Sequence, residues 1–344
     1  MTKRAAVIRG DGIGPEVVDS MLRVLHDCNI QSEIIMCDGG SEQWVRNGRK
    51  DASYIPNDTM KVLEEADMCF KGPVTTIPTP DAPKSMTVTL RQKFDLYANI
   101  RPIKTYSRLT PDIKLNCVCF REATEGLYGT PDIKITDDAA IAIRKITRDK
   151  CRRLANAAAA WAQSHSMTGI VAITKRNILR NTDGIFWEEM QQSAKDLSEI
   201  SLSEIYIDNM AQQLVIAPEQ FNNFVLASTN LFMDIISELA SGLVGSIGLI
   251  HSVNMGDSYA MFEASHGSAP TIAGKNLANP TATLLAGAWM AERLGEQEIS
   301  DAISRATELV IDEGKYVTAD IGGNAGTDRM SSEISRVAQG LLRK

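Results

Sequence analysis

Histidine is scarce in this chain, with four among 344 residues. The six cysteines, at positions 28, 37, 69, 117, 119 and 151, include no CxxC pair, and only Cys117-Val-Cys119 comes close. A zinc-type cluster is therefore not expected, and reduced thiols in a cytosol are the simplest account. An excess of positive charge is also missing: 36 Lys and Arg stand against 43 Asp and Glu, a net charge of -7. That excludes the basic footprint of non-specific nucleic-acid binding, while leaving room for a local basic pocket that takes a small anion. No apolar run reaches the length of a membrane span. The N-terminal MTKRAAVIRGDG meets a charged, Gly-rich turn before an apolar signal region can form, so a soluble, cytoplasmic chain without a membrane partner is expected.

Internal repeats and low-complexity linkers are absent as well. At 344 residues, with 44% hydrophobic and 23% charged side chains, the chain is globular and too long for one ordinary core. Two domains that interleave are expected, since nothing reads as a boundary between beads.

The pattern alternates strand and helix. Ala5–Ile8 reads as a strand, and Pro15 with Glu16 starts a helix to about Asp27. Further strands are expected at 34–36, 67–70, 116–120, 133–135 and 169–173. Helices are expected near 56–66, 88–94, 148–164, 182–195 and 280–295. This is α/β with a largely parallel sheet. The turn Gly10-Asp11-Gly12-Ile13-Gly14-Pro15 invites a dinucleotide fingerprint, but the third glycine of GxGxxG falls at Pro15, so a nucleotide, if bound, is expected to bind some other way. Residues 74–84 (VTTIPTPDAPK) form a polar loop at a strand's carboxyl end, where α/β folds carry function. Residues 262–279 read as one long loop.

Three sets of residues can carry chemistry. Asp208, Asp234 and Glu238 lie in or beside apolar runs between residues 206 and 238. Asp234 and Glu238 share a face at i,i+4, either as a solvated surface or as hard oxygen ligands for Mg²⁺ or Mn²⁺. Arg91, Arg101 and Arg121 each border an apolar element; they are surface arginines or, if convergent, a site for several carboxylates. Lys175 follows a buried strand, where it either snorkels or serves as a base. Tyr128 is a half-buried tyrosine or a proton donor.

Together, and in this order, GDGIGPEV, LRQKFDLYANIRP, REATEGLYG, KRNILRNTDGIF, NLFMDIISE and FEASHGSAPTIAGKNLANP resemble the β-decarboxylating dehydrogenases. That family comprises the isocitrate, homoisocitrate and 3-isopropylmalate enzymes. The resemblance implies an isopropylmalate-dehydrogenase-like two-domain fold. Residues 1–96 and 246–344 would form a large cofactor-binding domain, and 97–245 a small domain with the dimer interface and clasp. It implies hydride transfer from a 2-hydroxy acid to a nicotinamide, loss of the β-carboxylate as CO₂, and a homodimer with shared sites. Lys175 matches the position that takes the hydroxyl proton, and Tyr128 the one that protonates the enol. Arg91, Arg101 and Arg121 match the carboxylate-binding trio, with Asn177 among the substrate contacts. Asp208, Asp234 and Glu238 match the metal ligands. Lys175 and Asp208 would reach into the neighbouring subunit's site.

For the cofactor, the resemblance implies Ile13 and Thr75, the loop His266-Gly267-Ser268-Ala269 with Thr271 and Ile272, and Asn279 at the adenine. NAD-using relatives place an acid where Thr271 stands, a departure here. The 2′-phosphate clamp of NADP enzymes is missing too, at Thr271, Ile272, Ala319 and Gly323, and NAD is expected. Ahead of Arg91, Ser85 and Thr87 offer hydroxyls where isopropylmalate enzymes use an acid and leucines. Isocitrate is the expected substrate, with a place in the tricarboxylic acid cycle, and homoisocitrate, 3-isopropylmalate or a regulatory-subunit role are the alternatives. Glu238 in place of the usual Asp, and Met233 beside Asp234, are departures at the metal site.

Overall fold

The computed structural model describes residues 3–79 and 81–343; Met1, Thr2, Pro80 of the polar loop and Lys344 lie outside the described residues. The chain opens with β1 (Arg4–Ile8), α1 (Gly14–Asp27) and β2 (Glu33–Cys37). Small and β-branched side chains leave β1 buried along nearly its whole length, as a strand covered on both faces must be. Pro15 in the first turn of α1 supplies a preset φ where no N–H partner is needed, and Val17, Val18, Met21, Val24 and Leu25 form its buried stripe. Next come α2 (Ser41–Arg46), α3 (Asn57–Glu65), β3 (Met68–Lys71) and α4 (Met86–Lys93), then β4 (Ala98–Lys104) and β5 (Asn116–Glu122). A small ribbon, β6 (Asp132–Lys134) with β7 (Ala140–Ala142), follows. The middle of the chain continues as α5 (Arg148–Ser164), β8 (Gly169–Thr174), α6 (Thr182–Ala194), β9 (Ser201–Tyr206), α7 (Ile207–Ile216), β10 (Phe224–Ser228) and α8 (Asn230–Val244). The last part is the hairpin of β11 (His251–Met255) and β12 (Ala260–Ala264), then α9 (Thr281–Leu294), α10 (Gln297–Glu313) and α11 (Thr327–Leu342).

Ten strands make one mixed sheet in the order β2-β1-β3-β12-β11-β4-β5-β10-β8-β9. Both ends of the sheet are parallel, as the alternation predicts. The centre is antiparallel, because β11 pairs antiparallel with both β12 and β4, and β4 with β5. The late hairpin is thus wedged between β3 and β4, both of which end by Lys104.

The loop expected at 262–279 needs correction. Phe262 and Glu263 belong to β12, every residue of which is buried. A charge in an apolar run reads as a strand's end, but Glu263 is matched by Lys71 Nζ at 2.8 Å and stays inside the sheet.

Candidate active site

The three arginines converge. In the sheet's register Asn254 of β11 faces Asn99 of β4, which faces Arg121 of β5. Arg101 is two residues along β4 from Asn99 and so shares its face. Arg91 comes from the last turn of α4. Its Nε donates to Asn254 Oδ1 at 2.8 Å, and Arg101 Nε donates to Asn99 Oδ1 at 2.8 Å. Arg121 sends Nε and Nη2 to Asn230 Oδ1, at 3.0 and 2.8 Å. Burial, and then the charge of Arg101, lower the Arg91 pKa; burial and the nearby Arg91 bring Arg121 down to about 10. Three buried cations this close repel one another, and the carboxylates on α8 relieve part of that repulsion.

Asp234 and Glu238 do share one face of α8. Arg121 Nη1 pairs with Asp234, and Arg101 Nη1 reaches Glu238 Oε1 at 2.6 Å. The Tyr128 hydroxyl donates to Asp234 Oδ2 at 2.5 Å, and the Arg121 guanidinium lies 5.1 Å from the Tyr128 ring centre. Desolvation and the Asp234 contact raise the Tyr128 pKa above its ordinary value, so the phenol keeps its proton. Met233 is wholly buried and points to the core, away from the acids' face.

Lys175, Asn177 and Asp208 are not part of this group within one chain. Lys175 stands at the carboxyl end of β8, and its Nζ donates to Asp208 Oδ1 at 2.6 Å. The Lys175 contact lowers the Asp208 pKa. Asp208 is exposed in the first turn of α7, a position that the helix dipole favours for an acid. Asn177 lines an open surface cavity with Arg176, Arg180 and Tyr206.

The expected cofactor residues form a second cluster. Ile13 N–H donates to Ser268 O at 2.8 Å, and the Thr75 and Ser268 hydroxyls share a 2.5 Å hydrogen bond. A Cβ on Gly12, whose φ is +61°, would come within 2.0 Å of the Ser268 carbonyl oxygen. His266 is buried with Nδ1 3.0 Å from Gly267 O, and burial lowers its pKa. Ala269 carries a φ of 38° and redirects the loop, leaving Thr271 exposed and Ile272 half-buried against the core. Asn279 donates to Asp320 Oδ2 at 3.0 Å and accepts from Thr281 N–H at 3.0 Å. Ser85 and Thr87, at the start of α4, are half-buried, and among the described residues neither hydroxyl makes a hydrogen bond.

Several supporting residues escaped sequence reasoning. Asp11 accepts from Ser41 N–H, Glu42 N–H and Thr75 N–H at 3.0, 2.8 and 2.8 Å, and so braces the first turn against the polar loop. Asp183 is buried and accepts the Lys175 N–H at 2.5 Å while pairing with Arg144 at 2.8 Å. Asn99 and Asn254 carried one usable signal: asparagine is depleted in strands, so its presence there asks for a reason, whereas Asn230, the first residue of α8, carried none.

Relatives of known activity share this architecture from end to end. The sequence is 38% identical over 336 residues to the 3-isopropylmalate dehydrogenase of Methanothermobacter thermautotrophicus, a match that spans 97% of this chain and 98% of that one. It is 37% identical over 345 residues to the isocitrate/homoisocitrate dehydrogenase of Thermus thermophilus, across 99% of this chain and 100% of that one. The crystal structure of isocitrate dehydrogenase from Methylococcus capsulatus superposes with a TM-score of 0.91 at 36% identity, covering 98% of this chain and 99% of that one. The isocitrate/isopropylmalate dehydrogenase model spans residues 4–334, and the chain belongs to that family.

Proposed function

We propose that this protein is a metal-dependent dehydrogenase that oxidises isocitrate to 2-oxoglutarate and CO₂ with reduction of NAD. The observation that carries this reading is the convergence of Arg91, Arg101 and Arg121, beside the unengaged hydroxyls of Ser85 and Thr87. A planar guanidinium matches a carboxylate, so the trio suits a substrate with more than one, and the hydroxyls of Ser85 and Thr87 suit a third carboxylate better than an apolar arm. Homoisocitrate, one methylene longer, presents the same three carboxylates and is the second reading. The Thermus relative is named for both substrates.

The donor set fits a dication. Asp234 and Glu238 offer hard oxygens one turn apart, and among the described residues no third His, Cys, Asp or Glu joins them. The remaining ligand would be Asp208 of a second copy. Exposed apolar residues support such a pairing: Ile133, Ile135, Ile141 and Ile143 on and beside the β6–β7 ribbon, and Val215, Ile216 and Ile235 on α7 and α8. A two-stranded ribbon is marginal alone and gains stability by packing against a partner. In this reading residues 1–96 and 246–344 hold the cofactor, and 97–245 form the dimer.

When bound, the dication supplies Lewis-acid stabilisation of charge on the substrate oxygens, and the nicotinamide accepts the hydride. The chain's own part is positioning and proton transfer. The arginines fix the carboxylates, and Lys175 takes the hydroxyl proton as the C–H hydride leaves. The bond to the β-carboxylate then breaks, releasing CO₂, and Tyr128 returns a proton to the carbon left behind. The raised Tyr128 pKa suits that donor role. Neither Ala319 nor Gly323 can grip a 2′-phosphate, which favours NAD.

The test is kcat/KM for isocitrate, homoisocitrate, 3-isopropylmalate and D-malate, each with NAD and NADP in the presence of Mn²⁺. Isocitrate with NAD is expected to lead. A higher value for any other hydroxy acid would replace the substrate, and a preference for NADP would replace the cofactor.

A further inference from the structure

The arginine cleft is built on amides. Elsewhere several arginines are held by acids: Arg176 by both oxygens of Glu204, at 2.9 and 2.6 Å, and Arg148 by Glu188 and Glu189, at 2.8 and 2.6 Å. In the cleft, the Nε of each arginine instead meets a neutral carbonyl, from Asn254, Asn99 or Asn230. Acid contacts within hydrogen-bond reach come at Nη1 of Arg101 and Arg121, on the side of Asp234 and Glu238.

These asparagines are almost fully buried, at 0%, 0% and 1% exposure for Asn99, Asn254 and Asn230. A buried amide is costly unless its polar atoms are bonded, and here they are. Asn254 Oδ1 accepts from Arg91 and, at 3.0 Å, from Asn99 Nδ2, while its own Nδ2 donates to Glu263 Oε1 at 2.6 Å. Asn230 Nδ2 donates to Glu125 O at 3.0 Å. Arginine only donates and the Glu263 carboxylate only accepts, so each amide has one allowed orientation. The result is a polar row across five neighbouring strands, from Lys71 through Glu263, Asn254 and Asn99 to Arg121.

We propose that Asn99, Asn230 and Asn254 are positioning residues that aim the three arginines while adding no negative charge of their own to a cleft whose acids are Asp234, Glu238 and, 3.9 Å from Arg91 Nη2, Glu263. An aspartate has the same shape and would hold the guanidinium as well or better. It would also neutralise the charge and compete with the substrate. An amide aims without neutralising. The inference rests on the reading of the cleft as a carboxylate site.

The test is the isosteric series Asn254→Asp, Asn99→Asp and Asn230→Asp, each checked for an unchanged fold by circular dichroism and thermal melting. Two quantities are read: KM and kcat for the best hydroxy acid, and the Kd of the unreactive tricarboxylate tricarballylate by calorimetry with Mn²⁺. KM and Kd are expected to rise about tenfold or more, and kcat to change by about threefold at most, since a charge-assisted contact is weakened in ground and transition state alike. In Asn254→Asp the rise is expected to shrink as pH falls, because a protonated aspartic acid presents a neutral carbonyl again. A purely structural role would not produce that recovery. Asn230→Asp lies outside the Glu263 contact and carries the test if Asn254→Asp does not fold. KM and Kd within twofold of wild type in the folded variants would overturn the proposal. If wild type turns over none of the hydroxy acids, the function assigned above fails, and the tricarballylate titration still decides this point alone.

Discussion

Lys175 Nζ donates to Asp208 Oδ1 across 2.6 Å, and neither side chain reaches the acids on α8 of its own chain. Base and ligand are thus presented together from one edge of the molecule, at the end of β8 and the start of α7. If both serve a second copy's cleft, sites must be assembled between chains. Lys175→Met and Tyr128→Phe should each be nearly inactive alone. Mixed, dissociated and reassociated, they should regain about a quarter of wild-type kcat, since half of the dimers carry one intact site of two. No recovery on mixing would place Lys175 and Tyr128 in the same chain's site.

Tyr128→Phe removes the phenol that donates to Asp234 Oδ2. Loss of a positioned proton donor should lower kcat about 10²- to 10⁴-fold with little change in substrate KM. A basic limb of the kcat profile that belongs to this group should vanish in Tyr128→Phe, and its persistence there would contradict the assignment.

Glu263 gives a pH dependence to stability. Burial alone would raise its pKa, but Lys71 and Arg91 hold it down to about 2, from an ordinary 4.5. A depressed carboxylate contributes stability above its unfolded pKa and loses it as pH falls through its folded one. Roughly 3 kcal/mol should therefore disappear between about pH 4.5 and pH 2. Urea midpoints measured across that window check this. Glu263→Gln should flatten the slope and, by leaving Lys71 buried without a partner, cost about 3–5 kcal/mol at neutral pH.

Gly12→Ala should strike cofactor binding. A methyl there collides with the Ser268 carbonyl and sits on a positive φ, which together should cost about 1–3 kcal/mol. The cofactor KM is expected to rise more than tenfold, because the first turn and the loop at 266–270 can no longer dock. Substrate KM at saturating cofactor should move little.

Asp183→Ala should act on Lys175 without touching the cleft. Asp183 accepts the Lys175 N–H and pairs with Arg144, so its loss leaves a half-buried cation unpaired and the strand end untethered. A drop in stability of about 3 kcal/mol and a fall in kcat are expected together. Asp183→Asn, which still accepts the N–H, should recover part of the kcat but little of the stability.

Much of this architecture is legible in the sequence, because the residues that mark it obey local rules. Pro15 opens a helix, and Arg91, Arg101 and Arg121 border apolar elements, so their places could be read in advance. Glu263 could not, since its partner Lys71 is 192 positions away and nothing local reveals that a charge there is matched. The asparagines behind the arginines were hidden for the same reason: each is meaningful only beside a strand or helix far away in sequence. The separation of Lys175 and Asp208 from the α8 acids was visible only as an implication of kinship, and that of Asn177 was not foreseen, because spacing along a chain does not tell which copy a side chain serves.

The hairpin of β11 and β12 has a consequence for how the chain is made. It occupies the centre of the sheet, between β3 and β4, yet it leaves the ribosome well over a hundred residues after them. Until then β3 and β4 expose unpaired edges, and the sheet cannot be completed during the first two-thirds of synthesis. Such late insertion between early strands carries a large loop-closure cost, so folding should be slow and completed only near the end of translation. Chaperone demand should therefore be set by the nascent chain up to about residue 264, and a ribosome stalled before that point should hold an aggregation-prone intermediate.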